Sequence, residues 1–233
     1  MAAVDSPAGR AYRDAALPEP RTPWREVPFV VVDLETTGLD PSRHEIISFA
    51  TVRVAGGRVR LGDVRYELVR PGRMPDEDTI RIHGLREADL SEAPPLSELL
   101  GGLLEDLSGA AIVAHVAAVE RGFLGAALET HGLALRNPIV DTAALDRELR
   151  RLRRKPYASR EPIGLSEMAR RLGLPVHRPH HADGDALTTA QAFIALAAHL
   201  EAIEPQTLGS LERASAGPVQ PPLRSRLRRQ WPF

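Results

Sequence analysis

With 233 residues, 43% of them apolar, the chain is long enough to bury one core of about 170 to 200 residues plus tails. It has no cysteine, which excludes disulfides, thiolate metal sites and a cysteine nucleophile. Its formal net charge of −1 provides no global basic field, so any contact with nucleic acid has to come from a local patch.

Residues 1–27 carry Pro7, Pro18, Pro20 and Pro23 among small and charged residues. That composition predicts a flexible leader, with Trp24 as the side chain that docks it. There is no signal-peptide pattern, and no apolar run approaches the roughly 20 residues of a membrane span, so the expected location is cytoplasmic with no membrane contact. Phe29-Val-Val-Val then opens a strand that is apolar on both faces and belongs near the middle of a sheet. Asp33 and Glu35 interrupt it. Strand alternation points both carboxylates the same way at the edge of the core, where like charges repel and lose hydration. A divalent cation is the usual remedy; without one the pair is a strand end with two solvated acids. Thr36, Thr37 and Gly38 follow as a small polar loop that lets a substrate backbone approach closely.

Glu45 to Val54 and Arg58 to Val69 read as two more strands around an Ala55-Gly56-Gly57 turn, which completes an antiparallel three-strand meander. Pro71 to Pro75 breaks the pattern, and Asp78 to Gly84 forms a loop or short turn. The leucine spacing predicts a helix from Ser91 to about Leu107, followed by a buried strand from Ala110 to Ala114. A helix from Val116 to His131, stopped by Gly132, leads to a short strand at Ile139-Val140 and a helix from Asp141 to about Leu152. Arg150, Arg151, Arg153, Arg154, Lys155 and Arg160 make the densest basic run, which reads either as a guide for a nucleic-acid strand or as a solvated face. Helices over Leu165 to Leu172 and Ala182 to Leu200 come next. From Glu204 the chain is proline-rich and then basic to Phe233, a composition that predicts a disordered tail. Three strands followed by alternating helices and strands make an α/β domain with a mixed central sheet.

Two further clusters bear acids. Glu120 lies near the first turn of the helix that follows the buried strand, and Asp185 lies early in the last long helix, just after His180 and His181. Each acid alone could be a favourable charge at a helix N-terminus, and the histidines could be surface loop residues. Together with Asp33 and Glu35 they form an ordered pattern that resembles the DEDDh 3′–5′ exonucleases, a family that includes the proofreading epsilon subunit of bacterial DNA polymerase III. Val-Asp33-Leu-Glu35-Thr-Thr-Gly-Leu matches the first motif, Glu120 falls where the second has aspartate, and His180 with Asp185, five residues on, matches the third. Ile82-His83-Gly84-Leu85 resembles the substrate-side loop, and Val140-Asp141-Thr142 the segment that opens the next helix. The second motif departs from the family's Ala-His-Asn-Ala followed by Phe-Asp: Val116, Val119 and Glu120 replace its Asn, Phe and Asp.

The likeness runs from residue 28 to about 200 and implies an exonuclease domain over residues 28–203 with a ribonuclease-H-like fold, its mixed sheet flanked by helices. It implies a metal-dependent hydrolase that releases nucleoside 5′-monophosphates from 3′ ends, DNA favoured over RNA, in proofreading or repair. The same resemblance implies two Mg²⁺ or Mn²⁺ ions held by Asp33, Glu35, Glu120 and Asp185. His180 is then the general base, His181 sits at the rim, and Thr36, Thr37, Gly38 and His83 line the terminal nucleotide. His115 takes a structural role, packing against or orienting its neighbours. The implied partners are single-stranded or frayed 3′ ends of DNA, with RNA open. The Arg-rich tail with Trp231 and Phe233 reads as untethered in preference to an anchor for a polymerase or sliding clamp. A competing reading is a catalytically weakened nucleic-acid-binding or polymerase-associated adaptor on the same fold, against which stand Asp33, Glu35, Asp185 and a histidine. Another is a phosphatase with acids of independent origin, which the ordered motifs oppose.

Overall fold

The apolar run at Phe29 does form the middle of a sheet. In the computed structural model, which describes residues 3–75, 80, 83–153 and 163–216, strand β1 (Phe29–Thr36) is the third of five in the order β3-β2-β1-β4-β5. On one side β2 (Ile46–Ala55) runs antiparallel to β1, and β3 (Arg58–Leu68) antiparallel to β2. Gly56 and Gly57, at φ +62° and +67°, supply the two left-handed residues of the tight hairpin between them. On the other side β4 (Ala111–Ala114) and β5 (Ile139–Asp141) continue the sheet in parallel. The architecture is the expected α/β one, a three-strand meander extended by parallel strands.

Alternation along β1 divides the core. Phe29 and Val31 pack against Ala186, Ala190, Phe193 and Leu196 of the long helix Ala182–Glu201, and the Phe29 and Phe193 rings meet edge to face at 4.6 Å. Val30, Val32 and Leu34 pack on the opposite face, against the leucines of helix Leu96–Leu107 and Phe123, Leu124 and Leu128 of helix Ala118–Thr130. Each such side chain contributes about 1.5–3 kcal/mol on burial, so a one-residue slip of β1 is strongly disfavoured. The register therefore commits Asp33 and Glu35 to the face that bears Ala182–Glu201.

In chain order the helices are α1 (Pro7–Asp14), α2 (Glu87–Ser91), α3 (Leu96–Leu107), α4 (Ala118–Thr130), α5 (Thr142–Leu152), α6 (Leu165–Arg171), α7 (Ala182–Glu201) and α8 (Leu208–Ser215). The helix expected from Ser91 to Leu107 starts only at Leu96, and Ser91 instead ends the short helix α2. Proline disfavours the helical region for the residue before it, and Pro94-Pro95 puts that break between α2 and α3, with Pro95 extended at ψ 155°.

Two segments expected to lie outside the domain are packed into it. Tyr12 of α1 is buried and its hydroxyl donates to Asn137 Oδ1 at 2.8 Å. Trp24 docks as expected: it is buried edge-on to Phe193, and Pro23 bridges to Thr207. Residues 204–216 join the same body, because α8 buries Leu208 and Leu211 and its first amides donate to the Thr22 and Pro20 carbonyls. The boundaries at 28 and 203 are corrected accordingly. The rest of the expected tail, including Arg224 to Phe233, and Arg154, Lys155 and Arg160 of the basic run lie outside the described residues. Among the described residues no helix is long and apolar enough to cross a membrane.

Candidate active site

Asp33, Glu35 and Asp185 converge at the carboxyl-terminal edge of the sheet, with one oxygen from each within 4.8 Å of the others. The reason is local at both ends. Asp33 and Glu35 share the α7 face of β1, and Asp185 lies in the first turn of α7, where acids are favoured by the exposed amides. Gly184 makes this approach possible: a Cβ there would sit 2.4 Å from the His177 carbonyl oxygen and 2.6 Å from that of Arg178, so only glycine lets the preceding loop close on the helix.

The cluster is electrostatically costly without a cation. Burial, followed by repulsion from Glu35, Asp185 and Glu120, holds Asp33 well above the usual carboxylate range. Burial and then Asp185 push Glu35 up to about 8. Asp185 rises to about 6, lifted by burial and restrained by the His180 amide and imidazole.

Glu120 reaches the same region from another element. It is 4% exposed, one of its oxygens (Oε2) has no hydrogen-bond partner among the described residues, and burial, then Asp141 and Glu35, raise it to about 8. Because β4 runs parallel to β1, their carboxyl ends share an edge, and the turn from β4 into α4 delivers Glu120 there. It adjoins the trio without belonging to the set within 4.8 Å. A buried carboxylate oxygen with no partner, beside three crowded acids, fits a hard divalent cation well.

The two histidines differ. His180 is exposed at φ +61° and its backbone N–H donates to Asp185 Oδ2 at 3.0 Å. His181 precedes α7 as its N-cap and lies close enough to His83 to affect its charge: burial, then His181, push His83 down to about 4. The neutral His83 ring accepts the Leu85 N–H on Nδ1 at 2.9 Å, which leaves the proton on Nε2, a buried nitrogen without a partner among the described residues. The His115 ring is held at both nitrogens. Its Nε2–H donates to the Ile163 carbonyl at 3.0 Å, leaving Nδ1 to accept from the Thr142 hydroxyl at 3.0 Å.

The β1–β2 connection is internally bonded. Thr36 donates from Oγ1 to the Gly38 carbonyl at 2.7 Å, and Thr37 Oγ1 accepts the Glu45 N–H at 3.0 Å. The space beside Gly38 is filled by the His44 ring, which a Cβ would meet at 2.6 Å. That close approach is by a protein side chain, so on this side Gly38 is not the open cradle its sequence position implies.

The RNase_T exonuclease family model matches residues 30–193. The chain belongs to this exonuclease family. A relative from Aquifex aeolicus, DNA polymerase III subunit epsilon, is 32% identical over 167 residues, covering 71% of this chain and 78% of that protein. The epsilon-like protein of Rhodobacter capsulatus is 34% identical over 201 residues, and the PolC-type DNA polymerase III of Thermotoga maritima 33% over 186. The chain spans only 27% and 13% of those two proteins, although they cover 85% and 79% of it. Among solved structures, Exonuclease X in complex with 5′ overhanging duplex DNA aligns with a TM-score of 0.58 at 21% identity, over 80% of this chain and 99% of that one. Escherichia coli Exonuclease I with a dT13 oligonucleotide gives 0.65 at 15%, over 76% and 42%. These likenesses carry the ribonuclease-H-like fold.

Among the described residues Asp33, Glu35 and Asp185 form the cluster, with Glu120 beside it. Reading the motifs alone misses the place of Asp141 next to Glu120. Asp141 ends β5 opposite Ala114 and raises Glu120, a neighbour relationship set by strand pairing across 25 or more residues. The available signal is its position at the carboxyl end of a second parallel strand, just ahead of a helix. His44 is also missed, since nothing in its spacing marks the contact with Gly38.

Proposed function

We propose that the chain removes nucleoside 5′-monophosphates one at a time from the 3′ ends of single-stranded or frayed DNA, using two Mg²⁺ or Mn²⁺ ions. The observation that carries this reading is the convergence of Asp33, Glu35 and Asp185 within 4.8 Å, with the unpartnered Glu120 oxygen beside them. Asp33, Glu35 and Asp185 would hold the ions, with Glu120 as the fourth carboxylate. When bound, the pair would supply Lewis acidity at the phosphoryl group and stabilise the attacking and leaving oxygens.

The protein's own groups do the rest. Water attacks the phosphorus in line and the bond to O3′ of the penultimate nucleotide breaks; the departing O3′ takes a proton from solvent, leaving a shortened strand with a 3′ hydroxyl. His180 accepts the water's proton on its imidazole, as a positioned general base. His83, held neutral with its proton on Nε2, donates to an oxygen of the terminal nucleotide. The bonded loop of Thr36, Thr37 and Gly38 forms the wall under that nucleotide.

The choice of DNA is supported by relatives named for DNA polymerase III and by the DNA in the Exonuclease X and Exonuclease I complexes. The proposal extends to proofreading or repair in the cytoplasm, and the names of those relatives favour a polymerase as partner. Digestion of matched 5′-labelled and 3′-labelled single-stranded DNA and RNA tests the reading. It expects immediate mononucleotide release from the 3′ label, a ladder from the 5′ label, and faster turnover of DNA. Loss of the 5′ label first, or internal cuts, would overturn it.

A further inference from the structure

The turn that carries Glu120 toward the other acids is strained. Val116, between β4 and α4, has φ +58°, a left-handed conformation rare for a β-branched residue. Its side chain is buried, and its N–H donates to Asp141 Oδ1 at 3.1 Å. The same oxygen accepts the Ala143 N–H at 2.8 Å and the Ala144 N–H at 3.4 Å, which caps α5. Asp141 is itself held, because its own N–H donates to Ser215 Oγ of α8 at 2.9 Å. One carboxylate oxygen thus joins the end of β5, the start of α5 and the strained turn. Helix α4 begins two residues after Val116, so the turn's geometry passes rigidly to Glu120 in its first turn.

We infer that Asp141 is a positioning residue: by clamping the left-handed Val116 it sets where the Glu120 carboxylate enters the acid cluster. This inference rests on the reading of Glu120 as a metal-binding group. It also accounts for how the chain accommodates two of its three departures in this motif. A β-branched residue replaces the family's Asn at a left-handed position, and a longer carboxylate replaces its Asp four residues later.

The test compares Asp141→Ala, Asp141→Asn, Val116→Gly and the double variant Val116→Gly/Asp141→Ala. Turnover of a 3′-labelled oligonucleotide is measured in the full chain, and Mn²⁺ binding is followed by electron paramagnetic resonance. Removing a group that supports a metal ligand typically costs about 10- to 100-fold, so Asp141→Ala should lose that much in kcat and in Mn²⁺ affinity while KM changes less than about twofold. Asp141→Asn keeps the accepting oxygen and should stay closer to the parent. Glycine adopts positive φ without a clamp, so the double variant should recover several-fold over Asp141→Ala. If Asp141→Ala matches the parent, or if glycine at 116 brings no recovery, the clamp is overturned. Should Asp141→Ala fail to fold, the double variant decides: values within a few-fold of Val116→Gly support the clamp, and a loss of about tenfold or more overturns it. Glu120→Gln in the parent separates the two readings. Parental turnover there removes Glu120 from the site and the inference with it, whereas a large loss there beside parental behaviour in Asp141→Ala overturns the clamp alone.

Discussion

The backbone N–H of His180 donates to the Asp185 carboxylate at 3.0 Å, so the two residues of the third motif are joined directly and not merely close. Holding His180 at φ +61° keeps that bond and leaves it exposed beside Asp185, whereas His181 is the N-cap of α7 and acts on the charge of His83. His180→Ala should therefore lower kcat by the roughly 10² to 10⁴-fold of a positioned general base, with Mn²⁺ binding largely retained. His181→Ala should change the rate only a few-fold. Single-turnover rates on saturating oligonucleotide distinguish them, and a reversed order would transfer the role to His181.

Glu120 tests whether a longer acid serves in the second motif. Glu120→Gln should lose orders of magnitude in kcat, and Glu120→Asp should keep partial activity. A carboxylate that only favours its helix N-terminus is worth about 1 kcal/mol or less, a stability effect with little change in turnover. Rates for both variants at saturating Mg²⁺, alongside their melting temperatures, decide between the two roles.

The first and third motifs are legible because their geometry is local. Alternation along β1 fixes the shared face of Asp33 and Glu35, and a helix start fixes Asp185. Less is legible where partners are distant in sequence. Helix α1 and Trp24 lie in a proline-rich stretch whose composition reads as mobile, and only Asn137 and Phe193 from far along the chain order them. The break between α2 and α3 is written in Pro94-Pro95, and the leucine spacing begins only after it, at Leu96. Asp141 is a cap by its position, while its bond to Val116 depends on β4 and β5 lying side by side.

The raised carboxylates predict an unusual pH dependence for the metal-free protein. Asp33 is raised, Asp185 stands at about 6, and Glu35 and Glu120 stand at about 8, against unfolded values near 4. Between these limits the folded state binds more protons than the unfolded chain. The stability these groups contribute is complete below about pH 4 and is lost as pH rises through about 6 and then about 8. Melting temperatures in EDTA should fall across that window, and Mg²⁺ should flatten the decline by favouring the charged forms. A metal-free melting temperature that rises over the same range would contradict the raised values.

Asp33 is central, since it belongs to the trio and repulsion from Glu35, Asp185 and Glu120 all falls on it. Asp33→Asn preserves shape and removes a charge that the proposed metal site would need. The most direct measurement is mononucleotide release from 3′-labelled single-stranded DNA in Mg²⁺ by the parent and by Asp33→Asn, with circular dichroism confirming that both are folded. The predicted result is stepwise shortening by the parent, and background levels for the variant and for the parent in EDTA. Turnover by folded Asp33→Asn, or by the chelated parent, within a few-fold of the parent in Mg²⁺ would contradict the metal-dependent reading of this site.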